Sequence, residues 1–291
     1  GGDIASGITD LEKAVDAAPK SKALRGELAK AYISAGETEN AINQLNKILV
    51  EGGNRNQAEV LKVSAYLRAK QYDQAINVAL DILERSPKDP MVMSLVGNVF
   101  AASGNRVEAR KYFNQALKIE PENVQAAMLL AGLEEVEGNP EKAAALYKKL
   151  TEGGSKSIDP LLALARLAEQ NKDYEKMVFW LEEARKKEPT DIRPKKVLAE
   201  YYLHNDQFDK VGILVKEALD ISSKDPGLLL LKGRLLLAQQ RYNDALSLLK
   251  ELITSSPKSV YLRTLLGENY FELGQIEDAR RQLTLVLDQQ P

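Results

Sequence analysis

Residues 90–123 read PMVMSLVGNVFAASGNRVEARKYFNQALKIEPEN, and this stretch contains the pattern that decides the fold. On both sides of Gly104, small or apolar side chains recur at intervals of three and four residues, which is the spacing of one face of a helix. Gly104 suits the left-handed conformation in which helices commonly end, and Pro121 follows the second apolar segment. The stretch therefore predicts two short helices joined by a tight turn.

The same 34-residue pattern extends along the whole chain without insertion or deletion. Its clearest marker is a proline column, which we number as repeat position 32: Pro19, Pro87, Pro121, Pro189, Pro257 and Pro291. In this register position 8 is mostly Ala or Gly, position 20 is mostly Ala, and position 24 is mostly bulky. Full repeats begin at Lys22, Asn56, Pro90, Val124, Ile158, Ile192, Pro226 and Val260, and residues 1–21 match the second half of a repeat.

Stacking of these units predicts an all-α solenoid. A single helix pair cannot bury its apolar stripe alone, so neighbouring pairs pack and share one continuous core. We therefore expect residues 1–291 to form a single array in which Gly153-Gly154 is an ordinary turn between repeats rather than a linker. Because residues 1–21 lack a first helix and no polar capping helix follows Pro291, we also expect the chain to be a segment of a longer protein.

Composition argues against most enzyme classes. The 291 residues include no Cys and one His, so thiolate catalysis, disulfides and Cys-bearing metal sites are excluded, and no metal or cofactor site is expected. Forty basic and 42 acidic residues leave a net charge of −2, which argues against nucleic acid as a partner. No apolar run reaches 18 residues, so direct insertion into a membrane is not expected.

The 34-residue period, with a small residue at position 8, an aromatic at 11, Ala at 20, a bulky apolar residue at 24 and Pro at 32, resembles the tetratricopeptide repeat (TPR). This resemblance implies a right-handed superhelix whose first helices line an inner groove. Position 4, often Trp in the family, is degenerate here, and the single Trp180 lies at position 23 beside Phe179. We expect Phe179 and Trp180 to pack against a neighbouring helix.

On a helical wheel, positions 2, 5, 9, 12 and 13 of the first helix lie opposite the core stripe and should face the groove. Two interpretations stay open: these side chains form a peptide-binding channel with an adaptable Met floor, or the charged ones simply pair between neighbouring repeats. Some family members bind chaperone C-termini through Lys at position 5 and Asn at position 9 of one repeat. That combination is absent here, because Lys196 is followed by Glu200 and Asn98 is preceded by Ser94. The candidate binding residues are Met91, Ser94, Asn98, Met128, Arg166, Arg193, Lys196, Glu200, Arg234, Tyr261, Glu268 and Phe271.

The favoured function is a non-enzymatic scaffold that holds a protein or peptide ligand in this groove. The openings Gly2-Asp3-Ile4-Ala5 and Leu11-Glu12-Lys13-Ala14 resemble bacterial TPR lipoproteins of exopolysaccharide and PEP-CTERM export systems, which implies a periplasmic or envelope location. The alternative is a regulatory or substrate-selecting arm of an enzyme whose catalytic domain lies elsewhere. Uncapped ends also suggest that the chain could associate with itself.

Overall fold

The computed structural model describes residues 2–288, with side chains from Ile4 onward, so Pro291 lies outside the described residues. Within that range the chain forms seventeen α-helices and no strand, and the all-α helical repeat solenoid is confirmed. The helices are α1 (Gly2–Ala17), α2 (Lys22–Ala35), α3 (Thr38–Val50), α4 (Arg55–Arg68), α5 (Tyr72–Arg85), α6 (Pro90–Ala102), α7 (Arg106–Ile119), α8 (Val124–Val136), α9 (Pro140–Glu152), α10 (Asp159–Gln170), α11 (Tyr174–Lys187), α12 (Arg193–His204), α13 (Phe208–Ile221), α14 (Pro226–Ala238), α15 (Tyr242–Ser255), α16 (Val260–Glu272) and α17 (Ile276–Leu287).

Each full repeat contains one even-numbered helix followed by one odd-numbered helix, which we call its first and second helix. Contacts between Cα atoms divide the chain into two units, residues 1–156 and residues 157–291. Unit 1 contains α1–α9, and unit 2 contains α10–α17. That the repeats of both units form a single array stays a prediction.

The turn between the two helices of a repeat depends on one left-handed residue at position 15. Gly36, Gly104, Gly138 and Gly274 adopt positive φ there, as predicted from their identity. The other four repeats adopt the same conformation without glycine, at Lys70, Lys172, Asp206 and Gln240, with φ between 55° and 58°. Stacking of the repeats thus imposes this conformation even where the side chain disfavours it.

Positions 8 and 24 form the contact between the helices of one repeat, and their sizes compensate. In the second repeat Val63 occupies position 8 and the small Ala79 occupies position 24, and both are fully buried. In the third repeat Gly97 faces the fully buried ring of Phe113, so closely that an added Cβ would lie 2.6 Å from two ring carbons. A large residue at one position therefore requires a small one at the other.

Position 4 carries buried charge that links neighbouring repeats. The Nη2 atom of Arg25 donates to the carbonyl oxygen of Pro19 at 2.5 Å, and that of Arg263 donates to Pro257 at the same distance. Lys195 makes the equivalent contact to the Pro189 carbonyl through its Nζ atom. Each basic side chain thus satisfies the carbonyl of the position-32 proline six residues earlier, where a helix has just ended.

One aromatic position of the pattern is occupied by a buried acid. Glu134, at position 11, is 4% exposed and pairs with Arg110 of α7. Arg110 also contacts Glu137 at 2.5 Å, and the Nδ2 atom of Asn139 donates to Glu134 at 3.0 Å. The network satisfies a carboxylate that burial alone would make unfavourable.

Candidate partner-binding surfaces

The first helices of each unit form its inner side. In unit 1, α2 contacts α4, α4 contacts α6, and α6 contacts α8, although a second helix intervenes in sequence each time. In unit 2, α12 contacts α14 in the same way. Within the described residues, consecutive second helices, such as α3 and α5, contact each other less than these consecutive first helices do. The first helices therefore lie on the more tightly curved side, as expected for the groove.

The inner side of unit 1 carries several partly exposed apolar side chains. Met91 is 58% exposed on α6, and Val60 is 39% exposed on α4. Met128 and Asn98 are half-buried at their predicted positions. Ser94 is different: it is fully buried, and its hydroxyl donates to the carbonyl oxygen of Pro90 at 2.7 Å. The prediction that Ser94 faces the groove is wrong, because neighbouring atoms cover this side chain completely.

The inner side of unit 2 is crossed by ion pairs between successive first helices. Arg193 contacts Asp159 at 2.8 Å, and Arg234 contacts Glu200 at 2.5 Å, each pair joining the same position of two consecutive repeats. These contacts agree with the interpretation that the charged groove residues pair between neighbouring repeats. All four partners are between 29% and 55% exposed, so the pairs remain within reach of water and of a ligand.

A further pair fixes the N-terminus of α14. The Nζ atom of Lys196 lies 3.0 Å from Asp225, whose carboxylate also accepts the backbone N–H of Leu228 at 2.8 Å. Burial alone would raise the pKa of Asp225, but the hydrogen bonds from Leu228 and Lys196 outweigh it and lower the pKa. The carboxylate therefore stays charged and holds Lys196 on the inner surface.

Arg193 is held by two carboxylates. Its strongest contact is with Asp191, at 2.7 Å, and this hydrogen bond lowers the pKa of Asp191. The contacts with Asp191 and Asp159 in turn raise the pKa of the Arg193 guanidinium. This part of the surface is therefore a fixed pattern of charge near neutral pH rather than an acid or base.

The remaining predicted residues of unit 2 are exposed at its two ends. Arg166 and Glu268 are exposed at position 9 of the first and last repeats of the unit. Tyr261 is 49% exposed and Phe271 is 63% exposed on α16. Aromatic side chains in such exposure are common anchors of protein interfaces.

Sequence reasoning missed a cleft of about 320 Å³ between α2 and α4. It is open at Gly26, which occupies the groove position 5, and its floor includes Leu45 and Ile48 of α3. Glycine at a position where other repeats carry a side chain was the signal that could have revealed it. Lys22 and Lys30 lie on its rim.

On the surface formed by the second helices, one aromatic residue, Phe179, is not placed as expected. Phe179 stacks edge-to-face on Trp180, with ring centroids 4.8 Å apart, but remains 54% exposed. Trp180 is half-buried against the core of unit 2, as predicted. The prediction for Phe179 is wrong, because adjacent residues of a helix point about 100° apart, and the core lies on the side of Trp180.

Residues 2–288 contain no group of three His, Asp or Glu side chains arranged to hold a metal ion. A separate search of the same range finds no helix with the length and apolar character needed to cross a membrane.

Comparison with protein-family models agrees with the repeat pattern and with the helical fold. A profile described as "Tetratricopeptide repeat" matches residues 1–62 and 236–291, and a second profile of that description matches residues 60–119 and 97–158. A third, described as "Anaphase-promoting complex, cyclosome, subunit 3", matches residues 170–252. Together they account for most of the chain.

Individual relatives are distant. The DnaJ homolog subfamily C member 7 homolog of Schizosaccharomyces pombe is 28% identical over 98 residues, which are 32% of this chain and 21% of that protein. The structure of the APC/C hetero-tetramer Cut9-Hcn1 aligns with a TM-score of 0.54 and 16% identity over 96% of this chain and 55% of its own. The type IV pilus biogenesis factor PilW aligns with a TM-score of 0.56 and 18% identity over 74% of this chain and 100% of its own. The chain therefore spans about a fifth of the curated relative, and the structural likeness is one of fold.

Proposed function

Since this chain belongs to the tetratricopeptide repeat superfamily, whose repeats typically serve as non-catalytic scaffolds for protein–protein interaction, we propose that the inner surfaces of its first helices bind an extended segment of a partner protein. The proposal concerns two surfaces, that of α2, α4, α6 and α8 in unit 1 and that of α10, α12, α14 and α16 in unit 2. No catalytic step is assigned to either.

The exposed Met91 carries the proposal. It is 58% exposed in the middle of an inner surface where Val60 and Met128 are also only partly covered. Burying apolar area contributes about 25 cal/mol per Å², so a partner that covers these side chains gains affinity from contact alone. Methionine adapts its shape to different apolar partners, which suits recognition of an extended segment.

Unit 2 would contribute orientation rather than apolar affinity. Its exposed pairs, Arg193 with Asp159 and Arg234 with Glu200, contribute little to folding but present an alternating pattern of charge. A partner with complementary charges associates faster and in one register. Tyr261 and Phe271 add aromatic contact area at the end of this surface.

The test compares two substitutions in an affinity-tagged version of the chain that is expressed in the organism from which the sequence comes. Met91→Glu places a charge on the inner surface, while Val107→Glu places one on α7, where Val107 is 78% exposed. Co-purified proteins are then quantified by mass spectrometry. We expect Met91→Glu to lose partners that Val107→Glu retains. Loss of the same partners from both variants, or from neither, would contradict the proposal.

The narrower role that we propose is assembly of an exopolysaccharide export machine at the bacterial envelope. It is supported by the resemblance of the opening residues, of which Leu11-Glu12-Lys13-Ala14 lie within α1. The alternative is the regulatory or substrate-selecting arm of an enzyme. The gene itself distinguishes them: a lipobox or signal peptide upstream favours the first, and an adjoining catalytic domain favours the second.

A further inference from the structure

The cleft between α2 and α4 is a pocket with an apolar floor. Leu45 and Ile48 are 0% and 6% exposed, and Ala58 and Leu61 of α4 complete the lining opposite α2. Its volume of about 320 Å³ is at the lower end of the range for small-ligand pockets. It therefore suits one or two side chains rather than a folded surface.

The pocket exists because Gly26 has no side chain. A Cβ built at Gly26 would meet nothing within 4 Å, so the space above this residue is open. The same repeat position carries Val60 in α4, Ser94 in α6 and Met128 in α8. Glycine in the interior of a helix is unfavourable by roughly 1 kcal/mol relative to alanine, and nothing in the packing around Gly26 requires it.

The charged residues that line the pocket are two bases, Lys22 and Lys30, and one acid, Glu27. Lys30 contacts Glu27 at 2.8 Å, whereas Lys22 has no ion-pair partner among residues 2–288. Neither α2 nor α4 has an acidic residue in its first turn, so no carboxylate of these turns offsets Lys22. Arg25 points away into the core, where it binds Gln44 and the Pro19 carbonyl.

We propose that this pocket receives a single apolar side chain of a peptide segment in which an adjacent residue is Asp or Glu. The apolar side chain contacts Ala23 and Leu61, the apolar lining residues that are not fully buried, and the carboxylate pairs with Lys22. This inference rests on the proposed function, because it assigns one subsite and its preferred chemistry to the inner surface of unit 1.

The probe is a set of three short capped peptides with the central sequences Asp-Leu-Asp, Lys-Leu-Lys and Asp-Ser-Asp. Each is titrated into the full ¹⁵N-labelled chain, and the amide resonances of Gly26 and Ala58 are followed. We expect saturable shifts with Asp-Leu-Asp and affinities about tenfold weaker for the other two, since each lacks one contact worth on the order of 1.4 kcal/mol.

Substitutions at the pocket provide the decisive comparison. Gly26→Leu places a side chain in the space where a Cβ meets no atom within 4 Å, and Gly26→Ala is its matched control, because it changes the helix similarly but adds a single methyl group. We expect Gly26→Leu and Lys22→Glu to weaken Asp-Leu-Asp binding about tenfold, and Gly26→Ala to change it by less than about threefold. Unchanged binding to Gly26→Leu, or no shift at Gly26 in the original chain, overturns the inference.

A failure of the pocket inference can be distinguished from a failure of the proposed function. If the peptide shifts the chain's amide resonances around Met91 in the original chain and in Gly26→Leu alike, the inner surface binds but this pocket does not, and only the present inference fails. If Met91→Glu retains every partner in cells, the broader proposal fails whether or not the pocket accepts a peptide.

Discussion

The contact between Gly97 and Phe113 predicts that replacing this glycine by alanine destabilises the protein, although the same substitution at a less crowded glycine should stabilise it. An alanine Cβ at position 97 would lie 2.6 Å from two carbons of the Phe113 ring and 3.2 Å from the Ala109 carbonyl oxygen. Phe113 is fully buried. Gly233 occupies the same repeat position in α14, but there the nearest atom to a new Cβ is 3.5 Å away, on Leu249. The two glycines thus form a matched pair.

The magnitudes follow from two opposing effects. Replacing a helix-interior glycine by alanine stabilises a helix by about 1 kcal/mol. Forcing a methyl group into a filled core costs about 1–3 kcal/mol. Gly97→Ala should therefore lower the free energy of unfolding by about 1 kcal/mol, whereas Gly233→Ala should raise it by up to about 1 kcal/mol.

Urea unfolding followed by far-ultraviolet circular dichroism measures both effects, and amide hydrogen exchange in α6–α7 and α14–α15 assigns them to the altered repeat. Adding Phe113→Leu to Gly97→Ala should recover most of the lost stability, because the resulting Ala–Leu pair reproduces the buried pair Ala165–Leu181 at the same repeat positions. The reasoning is refuted if both alanine variants change stability in the same direction, or if the second substitution gives no recovery.

Three further substitutions test other parts of the structure. Lys172→Gly should raise the thermal midpoint, because Lys172 has a φ of 58° and glycine relieves a cost of about 1 kcal/mol; a lower midpoint would contradict the left-handed turn. Burial alone would raise the pKa of Glu134, but the pairing with Arg110 outweighs this effect and lowers the pKa. The stability that this pair contributes should therefore be present near neutral pH and should fall as the pH drops from about 4.5 through the lowered pKa. Glu134→Gln should lose on the order of 3 kcal/mol at pH 7 and show a flatter acid limb in urea titrations at several pH values; an unchanged acid limb would contradict this. Arg234→Ala should change the free energy of unfolding by less than about 1 kcal/mol, because its pair with Glu200 is exposed, and a larger loss in the same titration would mean that the pair is structural.

The helices and turns were predictable because they follow from local periodicity. The register based on Pro121 and its equivalents placed one first and one second helix in each repeat after residue 21, and the structure has both in all eight. The left-handed turn was predictable at Gly104 but not at Lys172 or Asp206, since only tertiary packing imposes it there.

The side chains that link repeats could not be read from composition. Position 4 looked degenerate, yet Arg25 and Arg263 make the same hydrogen bonds to a Gln of the second helix and to a proline carbonyl. That regularity depends on two elements meeting in space, which a periodic pattern along one helix does not contain. The same limit explains why the wheel placed Ser94 in the groove when its hydroxyl instead bonds to its own helix.

That a partner binds at the predicted groove residues stays a prediction. Exposure of Met91, Tyr261 and Phe271 agrees with their predicted positions, and the Glu200–Arg234 pair agrees with the simpler interpretation of the charged column. The cleft at Gly26 was missed because it is formed by the absence of a side chain, and the wheel considered only the side chains present.

Site-specific photo-crosslinking tests the central claim, that a partner occupies the inner surfaces, most directly. A benzophenone amino acid is placed at Met91 or Tyr261 on the inner side, and at Val107 or Ile213 on the second-helix side, where these residues are 58%, 49%, 78% and 57% exposed. The partner should crosslink from Met91, from Tyr261 or from both, and excess unlabelled chain should compete it away. Crosslinking of that partner from Val107 or Ile213 alone would contradict the account.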